Sequence, residues 1–293
     1  MDPEAEAQWL LQQRSWVENA DGPLRWAMTL DIKTETGDPM EWDDHGFMID
    51  ILCDMHPLQV LMKCSQVGAT TFEILKAYFL AQVMNRRIIY SLPTATLVED
   101  LNTTKLEPIE TFNPKITAGV TNNKKSKSWG KGFILFRGTR GEAQDVMVSA
   151  DYIIADEVNH SEINVVEGLE SRLSASKIQA QWWFGHPTHP GIGVDNKWQE
   201  SDQREWHVKC RSCGDEQHLD FWQNVDSERE IYVCRICNAH LTDDDRRNGR
   251  WLATVHEVDG KPPKWHGYHI SHMVAPWIPC WKVLEAEKKS KEY

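Results

Sequence analysis

Residues 63–71 read KCSQVGATT, set between the apolar runs PLQVLM (57–62) and FEILKAYFLAQVM (72–84). A strand, a glycine turn and a helix in that order are the pattern of a phosphate-binding loop, whose backbone N–H groups at a helix N-terminus surround the β and γ phosphates of a nucleotide. A lysine then adds charge, and a Ser/Thr hydroxyl binds Mg²⁺. Laid over the general form GxxxxGK[ST], the stretch puts Lys63 at the first glycine, Gly68 at the bend, Ala69 at the lysine and Thr70 at the magnesium position. A crossover turn with no ligand has the same local pattern, because glycine is common at such turns. Lys63 nevertheless ends the strand at the mouth of the loop, and its long stem allows the ammonium to return over the phosphates. On that reading the nucleotide contacts are Lys63, Gln66, Val67, Gly68, Ala69, Thr70 and Thr71.

Working outward, LQVLMK (58–63), RRIIYSL (86–92), GFILFRG (132–138), DYIIADE (151–157) and KIQAQWWFG (177–185) read as strands. FEILKAYFLAQVM has helical spacing over 72–84, and LPTATLVEDLNTTKLEPI (92–109) is a turn leading into a helix. Strands alternating with helices predict an α/β fold, here a P-loop NTPase with a mainly parallel sheet flanked by helices. DYIIADE ends in adjacent carboxylates. Asp156 suits the metal's water shell, and Glu157 suits the water that attacks the terminal phosphate. An exposed acidic turn is the alternative for that pair.

A second, smaller unit is written in cysteines. Cys210-x2-Cys213 and Cys234-x2-Cys237 are two knuckles at zinc-ribbon spacing, which predicts a closed, structural four-thiolate Zn²⁺ site. His207 and His240 lie nearby as surface or supporting residues, while Cys53, Cys64 and Cys280 have no pairing pattern. The expected organisation is an N-terminal arm (1–45), an ATPase core (46–204), a zinc-ribbon module (205–250) and a closing segment with tail (251–293). DDD at 243–245 reads as a helix N-terminus.

The chain has 293 residues, 41% apolar, with 14 tryptophans, enough for a sizeable core. Its net charge of −12 argues against a simple non-specific nucleic-acid binder, so any DNA contact must be local. NNKKSK (122–127) offers Lys124, Lys125 and Lys127 for a DNA path, against the alternative of a solvated loop. No secretory leader or membrane-length apolar run is present, which predicts a cytosolic protein.

Together these pieces resemble the large subunit of lambda-like phage terminases, from about residue 42 to residue 281. MKCSQVGATT resembles a deviant Walker A, YIIADE a Walker B, GHPTHPG (185–191) a coupling motif and CRSCGDEQHLDF the first half of a zinc knuckle. SLPT and GYHISHMVAPW (267–277) resemble further family segments. The resemblance implies an ATP- and Mg²⁺-dependent motor that drives double-stranded DNA into a procapsid, working as a ring, typically pentameric, on the portal protein. A small terminase subunit recognises the genome, and the host cytoplasm is the site of action. It further implies Lys63 as the phosphate ligand, Thr188 with His186 and Pro187 as γ-phosphate sensors, and an arginine finger in trans, with Arg140 first and Arg137 and Arg172 behind it. The family's nuclease domain has no counterpart before Tyr293, so the expectation is an ATPase region alone, cut from a longer chain or encoded by a split gene. Two rivals remain: a zinc-ribbon DNA-binding or scaffolding protein with a degenerate loop, and another P-loop translocase or helicase.

Overall fold

The computed structural model describes residues 14–140 and 148–290; the first part of the expected arm and the end of the tail lie outside them. The strands are β1 (Leu58–Lys63), β2 (Arg87–Leu92), β3 (Thr121–Asn123), β4 (Ser126–Trp129), β5 (Gly132–Gly138), β6 (Tyr152–Ala155) and β7 (Ala180–Gly185). They continue with β8 (Arg204–Lys209), β9 (Glu216–His218), β10 (Val225–Asp226), β11 (Ile231–Tyr232), β12 (Arg250–Ala253) and β13 (His266–Ile270). One 11-stranded sheet has the order β12-β8-β13-β1-β7-β6-β2-β5-β4-β3, with β9 on β8. From β8 to β5 all neighbours are parallel, and the antiparallel pairs are confined to the two ends. β6 is buried along its whole length and β1 along most of it, as expected for parallel strands covered on both faces.

The strands expected at 58–63, 86–92, 132–138, 151–157 and 177–185 all form, and the α/β class with a mostly parallel sheet holds. The helix expected over 72–84 instead runs Ala69–Gln82. Gly68 at its N-cap has φ +78°, a conformation open to glycine, and this lets the helix begin directly after the bend. Almost every side chain of this helix is buried, so it carries no polar face.

Its cover comes from the N-terminal arm together with the first helix of the core. Helices α1 (Gly22–Thr29) and α2 (Gly46–Cys53) pack on the Ala69–Gln82 helix, here α3, with Trp26 edge-on to Phe79 at 5.8 Å and Trp42 edge-on to Phe72 at 5.9 Å. Buried Lys76 of α3 donates to the Ile51 carbonyl (2.7 Å) and Gln59 Oε1 (3.0 Å) and sits 3.8 Å from the Trp182 ring centre. After β2 come α4 (Ala95–Leu101), a π-turn (Asn102–Leu106) and α5 (Glu107–Phe112).

Residues 205–250, expected as a separate module, share the main sheet through β8 and β12. The DDD helix is as expected: Asp243–Arg247 opens on a capping box between Thr242 and Asp245. At the amino end of β1, Asp54 Oδ2 accepts from His266 Nδ1 and the Tyr268 hydroxyl, each at 2.7 Å, and Asp54 Oδ1 from the His56 amide at 2.8 Å. The His56 and His266 rings stack 3.8 Å apart. Burial alone would raise the Asp54 pKa, but the His266 bond, the Lys76 charge and the His56 amide hold it far below the carboxylate range.

Candidate nucleotide site

The loop between β1 and α3 opens at the carboxyl edge of the parallel strands, where α/β sheets place their ligands. Ile270, the last residue of β13, accepts from the Cys64 amide (2.9 Å) and so fixes the start of the loop. Gln66 and Gly68 both have positive φ, at +59° and +78°, curling the chain before α3 begins. The first N–H groups of a helix have no partner within it. At α3 they belong to Ala69, Thr70 and Thr71, and Ala69 and Val67 are themselves buried behind the loop.

The two halves of the expected site meet. Thr70 Oγ1 donates to Asp156 Oδ2 at 3.1 Å, the Tyr90 hydroxyl donates to the same oxygen at 3.1 Å, and the Glu157 amide donates to Asp156 Oδ1 at 3.0 Å. Lys63 Nζ lies 2.7 Å from Glu157 Oε1 and 3.9 Å from Asp156 Oδ1. Burial pulls the Lys63 pKa down, yet the charges of Asp156 and Glu157 outweigh it and the ammonium is raised. Glu157 adopts a left-handed backbone, φ +52°, unusual for a non-glycine residue and a form of strain that clusters at functional sites. Cys64 is buried and its thiol is pushed up to about 12, so it serves packing.

The segment resembling a coupling motif touches both halves. His186 Nδ1 is 3.3 Å from the Lys63 carbonyl, and Asn159 Nδ2 donates to Thr188 Oγ1 at 3.1 Å. Asn159 Oδ1 also accepts from the Val194 amide (3.1 Å), and a Cβ on Gly193 would come within 2.6 Å of that oxygen. Tyr90 and Asn159 escaped the sequence reading. Asn159 stood two residues beyond the Asp-Glu pair, whereas nothing marked Tyr90.

Beside the loop lies a cavity of about 680 Å³ walled by Glu35, Met40, His45, Gln66, Thr71 and Trp277. The His45 and Trp277 rings sit 4.5 Å apart. Sequence reasoning treated 1–45 as a packing arm and gave it no share in a pocket.

The arginines are less engaged. Arg140 is exposed just beyond β5 at the same sheet edge, its amide on the Pro93 carbonyl, and Arg137 donates to the Phe136 carbonyl. Arg172 accepts the Ala150 amide through its carbonyl. Lys124 and Lys125 are exposed at the β3–β4 turn, but Lys127 is buried and paired with Glu110 at 2.8 Å, so it is lost to any DNA path.

The four cysteines come together, their sulfurs all within 4.8 Å of one another. Cys210–Cys237 and Cys213–Cys234 are each 3.7 Å apart, too long for a disulfide and close to the ~3.8 Å tetrahedral edge set by Zn–S bonds of about 2.3 Å. Among the described residues no helix is long and apolar enough to cross a membrane.

A family model described as phage terminase large subunit gpA, ATPase domain, matches residues 48–253. No curated protein matches the chain by sequence. Among solved structures, the chain is similar to a large terminase from a thermophilic bacteriophage (15% identity, 48% of this chain and 36% of that one, TM-score 0.36). It is similar also to the large terminase of bacteriophage HK97 (12%, 58% and 38%, TM-score 0.47). A third is an ATPase-domain variant of the Thermus phage P74-26 large terminase (12%, 88% and 89%, TM-score 0.49). The chain spans little more than a third of the length of the first two.

Proposed function

The chain belongs to the phage terminase large subunit gpA family through its ATPase domain, and from that premise we propose that it hydrolyses Mg-ATP between α3 and β6 to drive double-stranded DNA into a procapsid. The observation that carries this reading is the meeting of Lys63 and Thr70 with Asp156 and Glu157 across two parallel strands.

The amides of Gly68 to Thr71 hold the β and γ phosphates at the helix N-terminus. Thr70 and Asp156 present hard oxygen donors to one point, which fits Mg²⁺; when bound, that ion neutralises charge on the phosphate oxygens. Lys63 leaves Glu157 for the phosphates, supplying the charge that Ala69 does not. Glu157, released, orients the water whose oxygen attacks the γ phosphorus as the bond to the β–γ bridging oxygen breaks, and accepts its proton. The aromatic cavity at His45 and Trp277 receives the base. Thr188, tied to Asn159, senses the γ phosphate, and Arg140 reaches a neighbouring copy's phosphates in a homo-oligomeric ring. The portal protein, the small terminase subunit and DNA are the partners on this reading, in the host cytoplasm, with Lys124 and Lys125 the exposed cations for the DNA path. Cys210, Cys213, Cys234 and Cys237 hold a structural Zn²⁺, a closed site with no open position for chemistry.

Glu157→Gln should lower the hydrolysis rate about 100-fold or more, the range for a lost general base. Equal rates in the two proteins, or none in either with DNA and portal present, would favour the scaffolding alternative. Cys213→Ser should bind less than one equivalent of zinc while nucleotide binding persists, and full zinc content in that variant would show the ligand set to be wrong.

A further inference from the structure

We propose that Lys105 is a second cation of the nucleotide site, binding the phosphate nearest the nucleoside. The inference rests on the reading that the cavity beside the loop receives a nucleotide.

Lys105 sits in the π-turn between α4 and α5, closed by the Glu107 amide on the Asn102 carbonyl. Single π-turns inside helices are rare and frequent at functional sites, because the extra residue re-aims the side chains around it. Buried Asn102 anchors this turn, donating to Glu107 Oε1 at 2.6 Å and accepting from Lys127 Nζ at 3.5 Å. So held, Lys105 donates to Thr71 Oγ1 at 3.1 Å and pairs with Glu35. Both partners line the cavity. Burial raises the Glu35 pKa, but the Lys105 bond, a backbone hydrogen bond, the Lys105 charge and the Thr71 hydroxyl together lower it, so Glu35 is an anion.

The direction of the phosphate chain follows from two adjacent hydroxyls. Thr70 turns to Asp156, the metal side, with Lys63 and Glu157 beyond it. Thr71 turns to the cavity, the base side. The terminal phosphate therefore lies by Lys63, and the first phosphate after the ribose lies by Thr71, within the sweep of the Lys105 stem. An ammonium has three donors, and Glu35 and Thr71 occupy two. Lys105 turns to the arriving phosphate, and Glu35, its counter-ion, gives way. The charge absent at Ala69 is in this way divided between two lysines flanking the phosphate chain.

Calorimetric titration of the wild type, Lys105→Met, Lys105→Arg and Glu35→Gln with Mg-ADP, a non-hydrolysable ATP analogue and adenosine tests this. Lys105→Met should weaken ADP and the ATP analogue by the same factor, about 10–100-fold for one charge-assisted bond, with adenosine unchanged and the KM for ATP rising more than kcat falls. Lys105→Arg should restore most of the affinity. Glu35→Gln, which frees the ammonium without removing it, should tighten ADP severalfold, and it keeps the test decisive if Lys105→Met does not fold. ADP affinity within twofold of wild type in Lys105→Met, an equal loss for adenosine, or weaker ADP binding in Glu35→Gln would overturn the proposal. Failure of the wild type to bind any of the nucleotides would instead overturn the nucleotide reading, and this inference with it.

Discussion

Strand β1 runs between two buried clusters of charge, and they are built differently. At its amino end Asp54 is saturated: two side-chain donors and an amide fill its oxygens, with the Arg204 guanidinium at 3.9 Å. At its carboxyl end Glu157 has, among the described residues, Lys63 as its side-chain partner, keeps 35% of its side-chain surface open and rests on a left-handed backbone. The first arrangement has nothing left to bind and fastens β13 to the end of α2. The second is one ion pair short of being open. Satisfied buried networks rigidify a fold, whereas a site must hold interactions in reserve for its ligand.

Asp54→Ala breaks the contrast where it is strongest. Uncovering the His266, Tyr268 and Arg204 partners should cost about 3–5 kcal/mol in urea unfolding, as for other broken buried pairs, with little change in nucleotide affinity. A cost under about 1 kcal/mol would mean that the amino end is no more structural than the carboxyl end.

Lys63→Ala should show the reverse. Nucleotide affinity, followed with a fluorescent analogue, should fall about 10–100-fold, while stability changes by about 1 kcal/mol or less because Glu157 gains water in exchange. Unchanged affinity would remove Lys63 from the site.

Glu73 of α3 sharpens the comparison, because it feels the charges of both Asp156 and Asp54. Its two carboxylate oxygens have no hydrogen-bond partner among the described residues, and burial pushes its pKa up to about 7. A folded pKa above the unfolded value of about 4.3 gives a contribution to stability that is complete in acid and lost as pH rises through about 7. Glu73→Gln should therefore gain on the wild type between pH 5 and pH 8, by about 3 kcal/mol at most. Melting temperatures that keep a constant difference over that range would show Glu73 to be charged throughout.

Much of the carboxyl end was legible because its parts are local. Apolar runs announce β1, β2 and β6, and the polar residues at the ends of β1 and β6, Lys63 and the Asp156–Glu157 pair, are the ones the structure brings together. The start of α3 was misplaced by three residues because Ala69, Thr70 and Thr71 show no apolar period; the left-handed Gly68 starts that helix. What the sequence hid is non-local. Lys105 is 34 residues from Thr71 and 70 from Glu35, and no spacing rule joins them. Lys127 reads as part of a basic loop until Glu110 is found against it. Residues 205–250 looked self-contained because their cysteines dominate, while REWHVK gives a weak strand signal and pairs with β13, some sixty positions later.

That shared sheet has a mechanical side. The cysteine cluster hangs from β8, β8 is laddered to β13, and β13 ends on the Cys64 amide where the phosphate loop begins. Tension on the cluster along the strand direction is borne in shear by two parallel ladders and arrives at the loop as a displacement of its anchored end. A four-cysteine unit so mounted has the geometry of a lever arm whose fulcrum is the loop between β1 and α3.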